Sequence, residues 1–206
     1  MWQHGITSRL TMPDLPAASV DTLRKLLRLD DATDGEYTEE AYLNQLLLAA
    51  SDYAAGYLNR SLITTDYRRV YDTSYKDGGL SPICEARKPI MLPYPPVAEV
   101  TAVYTVDSDG NTTAVTGYYT DFDSEPGRLY ITDSSVYTRE IASLKVDYTA
   151  GYGDTYSNVP DGIQQGILQH AAYLYEHRGD CDAEESAKRS GATVMYNRYK
   201  VVVTWG

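Results

Sequence analysis

The chain predicts an α+β protein, in which a helical hairpin and a C-terminal helix form a small helical bundle and an antiparallel β insertion separates the second helix from the third. Three patterns carry that expectation. Thr38 to Arg60 keeps Tyr42, Leu43, Leu46, Leu47, Ala50, Tyr53, Ala54, Tyr57 and Leu58 on one broad stripe at 100° per residue. Short alternating segments broken by Gly, Pro and Asp then fill the chain from about residue 63 to 150. Helical spacing returns after Pro160, a residue suited to a first turn.

Taken in order, residues 1–18 read as a flexible N-terminal arm, because Met1 to Pro16 contains Pro13 and Pro16 and shows no period. Residues 19–179 read as a single domain with helices at about 19–29, 38–60 and 161–178. In the first of these Ser19 is placed to cap, and Val20, Leu23, Leu26 and Leu27 share a face. Asp30 to Glu36 is a polar loop short enough to make the first two helices an antiparallel hairpin. Glu39 and Glu40 suit the positive end of the second helix dipole, and the Asn59-Arg60-Ser61 run is a natural stop.

Strands are expected at 65–71, 90–92, 100–106, 114–119, 129–131 and 143–148. Asp109-Gly110 should turn the chain tightly between the third and the fourth. Pro93, Pro95 and Pro96 must form a rigid connection, since proline cannot continue a central strand. In the last helix Ile163, Ile167, His170 and Leu174 line one face and Gly179 is the stop. Residues 180–206 form a tail that begins charged and ends in MYNRYKVVVTW, a strand-like segment with nothing beyond it to pair locally.

Composition narrows the function. The chain has 206 residues, 43% of them hydrophobic, enough for one good core with a smaller satellite. It holds no apolar run long enough to span a membrane and no secretory pattern at its start, so a soluble cytoplasmic product is expected, with Cys84 and Cys181 as reduced thiols. A net charge of -11 argues against binding nucleic acid by neutralising phosphates. Such a surface would let DNA slide past without sticking. Twenty Tyr against the single Phe122 predict half-buried rings whose hydroxyls need partners, at subunit interfaces or on the outer faces of a sheet.

No catalytic constellation emerges. His170 and His177 lie seven apart on one helix, but HExxH spacing is missing, and His170 reads as a core histidine bonded to a buried partner. Asp107, Asp109 and Asn111 begin like a calcium loop, yet Gly110 is misplaced and no bidentate Glu follows, so a solvated turn is expected. Ala150 to Pro160 lacks the glycine spacing of a phosphate loop, and no GxSxG occurs. No cofactor, metal or enzymatic activity is expected.

The order helical hairpin, β region, helix, tail resembles the head-tail connector proteins, also called adaptor or head-completion proteins, of tailed phages and prophages. The segments that carry the likeness are TLRKLLRLDD (22–31), AASDYAAGYLNRSLIT (49–64), LPYPPVAEVTAVYTVDSDGN (92–111) and VDYTAGYGDTYSNVPDGIQQGILQHAAYLYEHRG (146–179). The resemblance implies a structural protein of the virion's head–tail junction, assembled in the bacterial cytoplasm. It implies a self-ring, usually a dodecamer, docked on the portal protein and receiving the tail or stopper protein, with DNA passing through without sequence-specific binding and no membrane partner.

Physical reading of the same residues agrees with a ring, because each copy must offer different surfaces to its two neighbours. Leu48 and Ala55 sit off the main stripe of the second helix, and Leu168, Ala172 and Tyr175 make a second strip on the last. Leu48, Ala55, Leu168 and Tyr175 are therefore expected at subunit or portal contacts. Tyr196, Tyr199, Val201, Val203 and Trp205 are expected as a terminal fastener, completing a sheet in a neighbour or in the portal, or else in their own subunit. A Tyr-rich β module that binds carbohydrate or a host surface is the alternative function.

Overall fold

The computed structural model describes residues 5–29, 38–72, 89–137, 141–179 and 182–202. These fall into two compact units, one drawn from 1–12, 65–151 and 202–206 and the other from 13–64 and 152–201. Among the described residues every strand lies in the first and every α-helix in the second.

The β unit holds two antiparallel sheets. Strands β1 (Gly5–Arg9), β2 (Thr65–Asp72), β8 (Ile141–Ala150), β4 (Val97–Asp107) and β5 (Thr112–Ala114) make the larger, in that spatial order. Strands β3 (Ile90–Leu92), β7 (Gly127–Ile131) and β6 (Tyr118–Asp121) make the smaller. Alternation sets which side chains go inward. Tyr67, Tyr71, Val103, Leu144, Val146 and Tyr148 from the larger sheet join Ile90, Leu92 and Leu129 from the smaller in one buried cluster.

The tyrosine excess has its explanation here. Most of the described tyrosines, such as Tyr53, Tyr104 and Tyr130, are half-buried as expected, but Tyr148, 1% exposed, and Tyr71, 3%, are buried outright. Their hydroxyls reach connecting backbone that phenylalanine could not satisfy: Tyr148 donates to the Pro93 carbonyl and Tyr71 to the Met91 carbonyl, both at 2.9 Å. Tyr67 stacks between Tyr94 and Tyr148, with ring centroids 5.1 and 5.5 Å away. Burial pushes the Tyr71 phenol up to about 12, keeping it a neutral donor.

The helical unit packs α1 (Val20–Leu26), α2 (Thr38–Leu58), α3 (Asp161–Glu176), α4 (Ala183–Arg189) and α5 (Ala192–Tyr196) around a second core. Ser19 caps α1 by accepting from the Thr22 N–H, and Asp182 caps α4 by accepting from Glu185. Asn59, with φ of 54°, ends α2 in the left-handed region. Leu43, Leu47, Ala50, Ala54 and Leu58 bury completely or nearly so against Ile163, Ile167 and Ala171 of α3, as the periodicity requires.

Four expectations need correction. A helical bundle carrying a β insertion is not the architecture: the strand-rich β part is a two-sheet unit with a core of its own. The stretch read as a flexible arm supplies β1, an edge strand whose partner β2 lies about sixty residues later, too far for a local pattern to reveal. Arg69, 3% exposed, pins that strand by donating to the Tyr71 hydroxyl and, at 2.7 Å, to Thr7 Oγ1. Gly5 permits this, because a Cβ there would lie 2.9 Å from Arg69 Nε. Finally, the tail read as a single strand-like segment begins with α4 and α5. The expected strand 114–119 is likewise two strands, β5 and β6. Cys84, Cys181 and His4 lie outside the described residues.

Candidate interface surfaces

The end of α2 and the start of the C-terminal segment are built as one joint. Tyr57 donates its hydroxyl to Asn197 Oδ1 at 2.7 Å, and the Lys200 ammonium lies 4.3 Å above the Tyr57 ring. Arg60 Nε donates to the Tyr199 carbonyl at 2.6 Å, Asn59 Nδ2 to the Val201 carbonyl at 3.2 Å, and the Val201 N–H returns a bond to Leu58 at 2.9 Å. A chain with few regular bonds of its own is thereby held as far as Val201. Val202, the next residue, is 74% exposed.

Glycines on α3 make room for this joint. A Cβ on Gly162 would come 2.7 Å from the Tyr199 hydroxyl, and one on Gly166 would come 2.4 Å from Tyr196 Cε1. Tyr196 is fully buried, with its hydroxyl unpartnered among the described residues and burial holding that phenol well above the ordinary range. It sits 5.9 Å from the Tyr57 ring.

The opposite end of α2 carries an aromatic clamp. The Arg178 guanidinium lies 4.8 Å from the Tyr42 ring centre and 4.6 Å from that of Tyr175, while the Tyr175 hydroxyl donates to Glu39. That carboxylate raises the Tyr175 phenol above its usual range by accepting its hydrogen bond.

The residues singled out from sequence do not gather on one surface. Ala55 and Leu168 lie in the subunit's own buried cluster together with Ala192 and Tyr196 of α5, and Val201 is 5% exposed. Tyr196 is helical, so it shares no extended face with Tyr199 and Val201. Leu48, Tyr175 and Tyr199 are half-buried and keep free surface. Val203 and Trp205 lie outside the described residues. Sequence reasoning missed Arg60 and Asn59 as tail anchors. The only signal was their place just after a helix end.

The titratable groups considered for chemistry have structural partners. His170 is fully buried, its Nε2 is 2.8 Å from Ser186 Oγ, and Ser186 Oγ donates onward to the Ala183 carbonyl, so the imidazole fastens α4 to α3. Burial pushes His170 down to about 4. His177 stacks on Tyr173 with centroids 4.0 Å apart. The Asp107 carboxylate accepts from the Asp109 and Asn111 N–H groups at 2.9 and 2.8 Å, which closes the β4–β5 turn over Gly110, φ 88°. Among the described residues no group of three or more His, Cys, Asp or Glu side chains is placed to hold a metal ion, and no helix is long and apolar enough to cross a membrane.

Comparison with known proteins assigns the family. A chain from the neck of an empty gene transfer agent particle, solved with C6 symmetry, matches at TM-score 0.73 and 26% identity over 98% of both chains. One from the native gene transfer agent virion matches at 0.71 and 27%, and one from a native neck with C12 symmetry at 0.69 and 25%, again over 98% of both. A comparison with curated proteins returns no match. The family model for head completion proteins matches residues 19–204. The chain belongs to the head completion protein family, structural proteins of the virion neck at the head–tail junction.

Proposed function

We propose that the chain works without catalysis, as one subunit of a ring that joins the DNA-filled head's portal protein to the tail or stopper protein. The observation that carries this reading is full-length similarity to neck chains of particles with sixfold and twelvefold symmetry. A dodecamer docked on the portal is the arrangement we assign. DNA passes through it unread, in keeping with a net charge of -11, which disfavours phosphate grip.

In this reading the C-terminal segment is the fastener. The joint around Arg60 holds the chain up to Val201, which supports presentation of Val203 and Trp205, with Tyr199 at their base, to the portal or to a neighbour. Leu48 and Tyr175 supply lateral contact. The test is attachment of purified protein to portal-bearing heads. Removal of 203–206 spares the buried Tyr196 and Val201, so the subunit stays folded while attachment falls. Normal attachment by that truncated protein counts against the fastener, and no attachment by the intact protein counts against the ring.

A further inference from the structure

Within the β unit, one face of the five-stranded sheet packs on the smaller sheet, and among the described residues of the unit the other is open. Register places Ile6, Val70, Lys145 and Tyr104 in a row across the open face, beside a row of Ser8, Arg68 and Asp147. Ile6 is 78% exposed and Leu10, continuing the same alternation, 48%. This edge is held firmly. Arg69 anchors Thr7, and the Leu10 N–H donates to Asp66 at 2.8 Å. Among the described residues β1 has no strand partner on its outer side, so large apolar side chains stand on a rigid edge.

Charge indicates what covers it. A protein carrying -11 meets a second copy of itself most easily where its own charge cancels. On this face the Arg68 guanidinium binds both oxygens of Asp147 at 2.7 Å, and Lys145 is the one further charge in these two rows, so the patch lacks the acidity of the chain as a whole. Arg68 and Lys145 also lie over the Tyr104 ring, at 5.6 and 5.9 Å from its centre, which orders the patch before anything binds. A partner recognised mainly by opposite charge would gain little here.

We infer that this open face, centred on Ile6, Val70 and Tyr104, is a contact between one copy of the chain and the next in the ring, an assignment that rests on the ring reading above. Because a cyclic contact is heterologous, the face meets a different surface of the neighbouring copy rather than its own counterpart. It involves the segment before residue 19, which the family match leaves out.

The experiment places a photo-crosslinking phenylalanine analogue at position 6 in full-length protein, mixes isotopically light and heavy subunits, and irradiates assembled necks. The inference expects crosslinks between light and heavy copies. Crosslinks only to another neck protein, or none from subunits present in the neck, overturn it while leaving the ring intact. Subunits absent from the neck overturn both. In parallel, Ile6→Asp should lower incorporation about tenfold or more, the loss from roughly one buried contact. Tyr119→Asp, on the smaller sheet and 56% exposed, should leave it unchanged. Equal incorporation of both variants contradicts the assignment.

Discussion

Replacing Gly166 by alanine tests how tightly α5 and the tail joint are seated on α3. The new methyl would lie 2.4 Å from Tyr196 Cε1 and 3.0 Å from Cδ1, whereas carbon atoms rest about 3.5–4.0 Å apart. The ring must therefore retreat by roughly an ångström, and it is fully buried beside Tyr57. Overpacking of this kind costs about 1–3 kcal/mol. Alanine's helix preference over glycine returns about 1 kcal/mol. The expected net loss is about 1 kcal/mol, or roughly 2–4 °C in Tm for a chain of this size. Gly56→Ala is the internal control: nothing lies within 4 Å of a Cβ there, so the same exchange on α2 should raise Tm by about 2–4 °C. Scanning calorimetry of both variants decides. A Gly166→Ala protein as stable as the parent would refute the close seating of Tyr196. A second change, Tyr196→Leu, should recover part of the loss, since neighbours that share a contact are not additive.

Further predictions follow from the same contacts. Tyr148→Phe removes a buried hydrogen bond to Pro93 and should cost about 1 kcal/mol, measured by urea unfolding. Thr7→Val deprives the buried Arg69 of an acceptor, so amide exchange in β1 should quicken while α2 and α3 stay protected. His170 gives a pH dependence whose sign can be worked out. Its folded value near 4 lies below the unfolded value of about 6.5, so the unfolded chain takes up protons first as pH falls. Its stabilising share is complete above about pH 6.5 and is lost on the way down to about 4, amounting to roughly 3 kcal/mol. His170→Gln should flatten that part of the acid-unfolding profile. An unchanged slope would mean that the imidazole is not buried in its neutral form.

Long, strongly periodic elements were legible from the residues alone. The stripe from Leu43 to Leu58 and the face from Ile163 to His170 announce α2 and α3, and both bury as their spacing requires. Ser19 caps α1, Asp109-Gly110 turns β4 into β5, and His170 finds a buried partner in Ser186, each from local chemistry. What failed was non-local. β1 is five residues long, contains a glycine and turns its apolar Ile6 outward, so its sequence shows no apolar-in, polar-out pattern; only its register against β2 makes it a strand. Helices α4 and α5 are seven and five residues long, too short for a period to stand out, and the Val- and Tyr-rich end of the tail has β-forming composition. The burial of the second apolar strips has the same root. The second apolar strips of α2 and α3, Ala55 and Leu168, are covered within the subunit by the α5 cluster that sequence reading did not foresee.

Where the protein sits in the particle, and how many copies sit there, decides its role. Cryo-electron microscopy of necks from particles that carry this chain should resolve its two units repeated about the DNA axis between head and tail, in a closed ring. Neck density built without this fold, or a single copy lying off the axis, would contradict it.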